Sequence, residues 1–418
     1  MLRTEKYTTT SIIAAAAAAA SAIRYQFGPG ISLSLLTAVV LIPVWWPAMK
    51  EYRFARLLLG LAGAAAVWGV VLTTFETIRP TSSSLMMEQT FTLLSLAGGI
   101  GVLLWVRTQL GIAGTAVAFG VGALANVALT GGNSANLWKY SLAVPVIIIV
   151  LGLTSTSGRR WLDLLALGAL AAVCLVSDSR SMTSFLLLSG VIVLWQSFMP
   201  PGRRRPRPAQ TLLLLGLLSV AAFSLLQALI LDGALGDAAQ QRTQAQIDTS
   251  GSLIAGGRPE LGAATALISH RPQGFGSGVL PTSQDVWIAK SGMSGLNYDP
   301  NNGYVEGYMF GGQYEVHSVL GDMWLRFGPL GAAFALMLVV CAVYAVARSV
   351  SIKAASGLAV LLTLLGAWDT FFSPLLTSSR TLALLFALTA IPVADLARRR
   401  RDGAESLSLD TGSPRSTR

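Results

Sequence analysis

The sequence predicts an all-α polytopic membrane protein, and three observations carry that reading. Hydrophobic residues make up 53% of the 418 and charged residues only 12%, whereas soluble domains carry about a quarter charged residues. Apolar runs long enough to cross a hydrocarbon core of about 30 Å recur along the chain. The gaps between those runs are alternately basic and non-basic, the pattern that sets orientation in a bilayer. A mean hydropathy of +0.60 excludes a soluble enzyme, a disordered chain and a collagen-like one. The formal charge of +10 is read as a topological signal, with no role for nucleic acid.

About twelve transmembrane segments follow in order, near 10–23, 31–48, 57–75, 89–106, 110–129, 140–156, 161–177, 182–199, 210–231, 317–346, 356–371 and 380–397. The first is short and alanine-rich, follows Arg3 and Lys6 and ends in Ala20-Ser21-Ala22, features it shares with cleavable signal peptides. With both termini in the cytoplasm and alternating sides, 20 of the 30 Lys and Arg residues fall inside, including Lys50, Arg107, Arg159 and the run Arg398 to Arg401.

The chain thus divides into helices 1–9 over residues 1–231, a large extracytoplasmic loop over 232–316, helices 10–12 over 317–400, and a disordered cytoplasmic tail over 401–418. The tail has no apolar face to bury. The loop is rich in Gly, Gln, Ser and Asn, with one helical pattern around Gly262 to Ser269. Its tyrosines (Tyr298, Tyr304, Tyr308, Tyr314) predict an ordered loop, since disordered segments are poor in aromatics.

Candidate functional residues are the cations that defy the inside bias. Arg180 lies at the outer junction of the seventh and eighth spans, Arg380 between the last two, and Arg242, Arg258 and Arg271 in the loop. A guanidinium near the headgroup boundary is costly unless it is paired or faces water, so it either serves a function or snorkels to lipid phosphate or a neighbour such as Asp178. Several outward arginines suit a polyprenyl pyrophosphate, because the planar fork holds two phosphate oxygens at once. No metal or other cofactor is expected: the loop acids lack ligand spacing, and Cys174 and Cys341 lie far apart in apolar runs. Of the two histidines, His270 reads as structural, before a Gly-rich turn. His317, at the mouth of the tenth span, is either an interfacial hydrogen-bonding residue or a base for a hydroxyl.

Taken in order, these pieces resemble the O-antigen ligase and polysaccharide polymerase superfamily of bacterial membrane glycosyltransferases. The matching motifs are Ser179-Arg180, Gly257-Arg258, the turn Pro272-Gln273-Gly274-Phe275-Gly276, His317, and Gly328-Pro329-Leu330-Gly331, over about residues 170–335. The resemblance implies a GT-C-like fold in the bacterial cytoplasmic membrane. It also implies an inverting, metal-independent transfer of glycan from an undecaprenyl-pyrophosphate donor on the outer face to a glycan or lipid-glycan acceptor, with membrane lipids as further partners. It carries the pyrophosphate grip to Arg180 and Arg258, with Arg242 as a looser match, and the catalytic role to His317.

The sequence departs from the family pattern in three places. Ser318 follows the histidine where Asn is usual, Arg326 stands where an acid is common, and the tryptophan near the loop arginine is replaced by Glu260-Leu261-Gly262. Asp322, one helical turn before Arg326, is positioned to pair with it. The competing function is a transporter or flippase for lipid-linked oligosaccharide. It calls for midplane charges and internal repeats, and the chain has few of the former and no echo between its halves.

Overall fold

The computed structural model describes residues 9–198, 208–233, 236–250, 258–301 and 303–395; the tail 401–418 lies outside the described residues. Apart from a short hairpin (β1, Gln26–Gly28; β2, Ile31–Ser32), the architecture of the described residues is all-α. Among the described residues, five helices are long and apolar enough to cross a membrane, and six if one bent pair counts as a single span, which makes this a membrane-embedded helical protein.

The first half runs α1 (Thr9–Ala22), α2 (Leu33–Val40), α3 (Ile42–Ala48), α4 (Ala55–Thr74) and α5 (Ser83–Thr130). The second expected span is broken: α2 and the helix that follows it meet at 77°. Pro43, just inside the start of α3, has no N–H to continue the α2 ladder. The fourth and fifth expected spans run into one another as α5, which leaves helical geometry only at Gly111 (φ +70°). A straight helix of 48 residues would extend about 72 Å, more than twice the apolar thickness of a bilayer, so the break at Gly111 is what allows α5 to fit.

Next come α6 (Ala143–Thr156), α7 (Arg160–Val176), α8 (Arg180–Phe198) and α9 (Pro208–Leu231). The polar segment holds α10 (Asp237–Ser250), α11 (Glu260–His270) and α12 (Ser283–Ser294), and the chain closes with α13 (Val319–Ser351), α14 (Gly357–Phe372) and α15 (Leu375–Thr389). The last helix begins five residues before its expected start because Pro374 sets its first turn; Arg380 therefore lies within α15 and not between two spans.

Residues 258–301 and 303–316 pack around their own apolar core, in which Leu267, Phe275, Met293, Met309 and Tyr314 are buried together. Only α11 was signalled by periodicity. The start of α12 is fixed by a capping box, in which Thr282 Oγ accepts from the Asp285 N–H while the Asp285 carboxylate accepts from the Thr282 N–H. Helices α11 and α12 cross closely enough that a Cβ on Gly262 would meet the Gly292 carbonyl at 2.3 Å.

The tenth expected span is two pieces. At Gly328 (φ +63°) α13 breaks, and the stretch before the break joins two cores: Leu325 is buried with the polar segment, while Val319, Met323 and Phe327 are buried among the membrane helices. Pro329 has no N–H to offer the Leu325 carbonyl; that oxygen instead accepts from the Phe275 N–H at 2.7 Å. The Gly-rich turn is thus seated in the break, held further by Trp324 Nε1 donating to Pro272 O (2.7 Å) and Trp68 Nε1 to Gln273 O (3.1 Å). A β-bridge between Thr81 and Val279 ties the following residues to the α4–α5 connection.

A polar network closes the same seam. Arg79 holds Asp285 through two hydrogen bonds (3.0 and 2.8 Å), Tyr314 Oη donates to Asp285 Oδ2, and Arg271 pairs with Glu76. Both guanidiniums flank the Phe275 ring, at 5.0 and 5.4 Å. Although burial alone would raise the Asp285 pKa, the bonds from Arg79, Thr282 and Tyr314 outweigh it and bring it from an ordinary 3.8 down to about 2. A depressed folded pKa stabilises above the unfolded value and is lost as pH falls through the folded one. The stabilisation, about 2 kcal/mol, is therefore expected at neutral pH and fades between about pH 4 and pH 2. Asp285→Asn should lower the melting temperature at pH 7, with the gap to wild type closing across that acid window in a thermal-unfolding series.

Candidate functional site

The site begins with how the backbone around His317 is pinned. Asp322, buried in the first turn of α13, accepts the Val316 N–H at 2.9 Å and the Leu375 N–H at 3.0 Å. Ser318 caps α13 by accepting the Gly321 N–H and donates to Thr370 O at 3.0 Å. Both neighbours of His317 are thereby anchored, and His317 itself sits in the left-handed region at φ +48°. Such strain in a non-glycine residue persists only where its surroundings hold it, and it concentrates at functional sites. The expected Asp322–Arg326 pair does not form: Arg326 is buried and donates instead to Tyr314 O at 3.2 and 2.8 Å, which fixes the end of the polar segment.

Around His317 a chain of polar groups is assembled from distant residues. Tyr304 stacks on the imidazole with ring centroids 5.9 Å apart, and its hydroxyl lies 3.4 Å from His317 Nδ1. The same hydroxyl donates to Glu260 Oε1 at 2.6 Å. Burial first, and then the Glu260 carboxylate, push the Tyr304 pKa well above its usual range, so the phenol keeps its proton. That proton is committed to Glu260. The contact with His317 therefore has Nδ1–H as donor and the phenol oxygen as acceptor.

Arg258 connects this cluster to a cavity. Its charge acts on Tyr304, and its guanidinium lies over the Trp368 ring at 5.7 Å. Arg258, Trp368, Asp369, Ser181 and Thr381 line a cavity of about 290 Å³ bounded by α6, α8, α14 and α15. Arg180 stands beside it and not in its wall: it pairs with Asp178 at 3.1 Å, and Lys139 approaches the other oxygen of that carboxylate at 3.6 Å. Lys139 and then Arg180 hold the Asp178 pKa below its ordinary value. Ser181, the next residue, does reach the cavity wall. Arg242 lies on α10, and its side chain is outside the described residues, as is Gly257.

No family profile, no curated protein and no solved structure matches this chain. The site is therefore read from its own chemistry. It offers a cation at a cavity wall and an imidazole whose Nδ1 meets the hydroxyl of a half-buried tyrosine, which in turn donates to a buried glutamate. Among the described residues, no group of three or more His, Cys, Asp or Glu is placed to hold a metal ion.

Among the described residues, Arg258 and His317 are linked only through Tyr304, which feels the charge of the one and stacks on the other, while Arg180 adjoins the cavity through Ser181. Sequence reasoning missed Glu260 and Tyr304 as members of the cluster around His317. Glu260, two residues after Arg258, was noted as a departure from a motif; its burial beside Tyr304 is what gives it a role.

Proposed function

We propose that this protein is a membrane glycosyltransferase that moves or polymerises glycan from an undecaprenyl-pyrophosphate-linked donor, without metal and with inversion. The observation that carries this reading is Arg258, placed between the Tyr304–His317 cluster and the cavity lined by Ser181 and Asp369. In this reading the phosphate-bearing leaving group sits at Arg258 and the acceptor hydroxyl beside His317, with Tyr304 between the two.

The acceptor hydroxyl oxygen bonds to the anomeric carbon as the bond from that carbon to the pyrophosphate oxygen breaks. The electron pair leaves with the pyrophosphate, and the hydroxyl proton passes to His317 Nε2. Arg258, with Arg180 at the cavity edge and Arg242 on α10, stabilises charge growing on the leaving group. About twelve spans, with the polar segment on the outer face of the cytoplasmic membrane and both termini inside, complete the proposal. The ordering of the basic gaps and the resemblance to the O-antigen ligase and polysaccharide polymerase superfamily support it.

The test uses purified protein with a lipid-linked donor. A ladder of lengthening lipid-linked products identifies a polymerase; a single transfer to a different acceptor identifies a ligase. Arg258→Lys is expected to cut turnover at least about tenfold, because Lys keeps the charge and loses the fork. Unchanged turnover in that variant would refute the pyrophosphate grip. Movement of labelled donor across vesicles without bond formation would refute the transferase.

A further inference from the structure

A second cavity, about 610 Å³, adjoins the first and shares Val144, Asp369, Ser373 and Thr381 with it. It lies between the end of α1, the second half of α5, the residues leading into α6, and α15. Its volume falls within the roughly 300–1,000 Å³ typical of small-molecule sites. Three cations line it, Arg24, Lys139 and Arg380, and Asp369 is the one acid in its wall. Arg24 and Arg380 repel one another, yet no second carboxylate separates them.

Arg380 is the unusual member. Its Nη1 is buried and has no hydrogen-bond partner among the described residues, an arrangement that is costly for a charged donor unless a ligand answers it. Arg24 spends one nitrogen on Thr377 O at 3.0 Å, and Lys139 reaches Asp178 only at 3.6 Å. Like-charged groups with unspent donors around one space fit an anion.

The rest of the wall narrows the class. Asn126 and Asn133 each have the amide oxygen engaged, by the Arg24 and Ala135 N–H groups at 2.6 and 2.9 Å, which leaves their NH₂ groups as donors. Hydroxyls of Thr130, Ser141 and Thr381 and the Tyr140 ring complete it. Amides, hydroxyls and an aromatic face are chemistry for sugar hydroxyls and ring C–H groups; they are poorly matched to an acyl chain.

We propose that this cavity binds an acidic saccharide, with the sugar's carboxylate or phosphate held by Arg380, Arg24 and Lys139. The inference gives the proposed transferase a charged glycan substrate, and rests on that reading for the ligand being a saccharide. Its test needs binding alone. Loss of transfer with binding intact would count against the transferase and leave this site standing.

The experiment is calorimetric titration of the full chain in phosphatidylcholine nanodiscs. The probes are a glucuronate-containing oligosaccharide, its phosphate-bearing counterpart, the neutral oligosaccharide of equal length, and inorganic pyrophosphate. At least one acidic oligosaccharide should bind about tenfold or more tightly than the neutral one. The better of the two identifies the anion, and the preference should shrink as salt rises. Arg380→Gln and Lys139→Gln should each remove most of the preference; Lys139 is half-buried, so its variant stands if loss of Arg380 impairs folding. Equal binding of acidic and neutral probes, a preference that survives Lys139→Gln, or tight binding of pyrophosphate with neither acidic probe bound would overturn the proposal.

Discussion

Replacing His317 with glycine is expected to lower glycosyl transfer by about 10²–10⁴-fold while changing thermal stability little. The two effects separate because His317 occupies φ +48°, a conformation that glycine adopts without strain. Relief of about 1–2 kcal/mol offsets the greater freedom of glycine in the unfolded chain and the lost stacking on Tyr304. His317→Ala keeps the strain and loses the ring, so it should be the less stable of two equally inactive variants. The readouts are a single-turnover assay with lipid-linked donor and a melting curve in detergent. Retained transfer in both variants would remove His317 from the chemistry, whatever the melting curves show.

The largest stability effect is expected at the helix break. In Gly328→Ala the new Cβ would meet the Gln273 carbonyl at 2.3 Å and Trp68 Nε1 at 2.7 Å, on a backbone at φ +63°. The facing Gly274 (φ +90°) is as tightly confined, its own Cβ position 2.8 Å from the Gly328 backbone. The main-chain atoms cannot yield without unseating the turn, so a loss of about 3 kcal/mol or more is expected. It should appear as a fall of several degrees in melting temperature and as faster proteolysis within residues 258–316. Gly63→Ala, in α4, is the control: nothing lies within 4 Å of its Cβ position, and it should be neutral to slightly stabilising.

Much of the helical architecture was legible because apolar runs of bilayer length report themselves, and α4, α8 and α9 lie close to the expected spans. The breaks were not, for a physical reason. Hydropathy averages over a window and is blind to one missing N–H, so Gly328-Pro329 inside an apolar run read as continuous span. Pro374 shows the reverse error, a start signal outvoted by the stronger apolar run after it. The helix α12 was legible and overlooked, since Thr282 and Asp285 have capping-box spacing.

The candidate site divides along the same line. Arg258 and His317 stood out as charged or titratable residues near apolar runs. The groups that join them did not, because Glu260 meets Tyr304 across 44 residues and Tyr304 meets His317 across 13, separations that no local period encodes. Arg180 was conspicuous in sequence for its place at a helix start, and the structure gives it Asp178 as a partner at the cavity edge.

The Leu325 carbonyl, answered by an amide fifty residues upstream, makes residues 272–278 a part of the transmembrane architecture. A chimera that exchanged 232–316 for another sequence would strip that oxygen of its donor and the Trp68 and Trp324 indoles of their acceptors at one stroke. Grafting would have to carry both halves of the junction, so the two are expected to diversify in step.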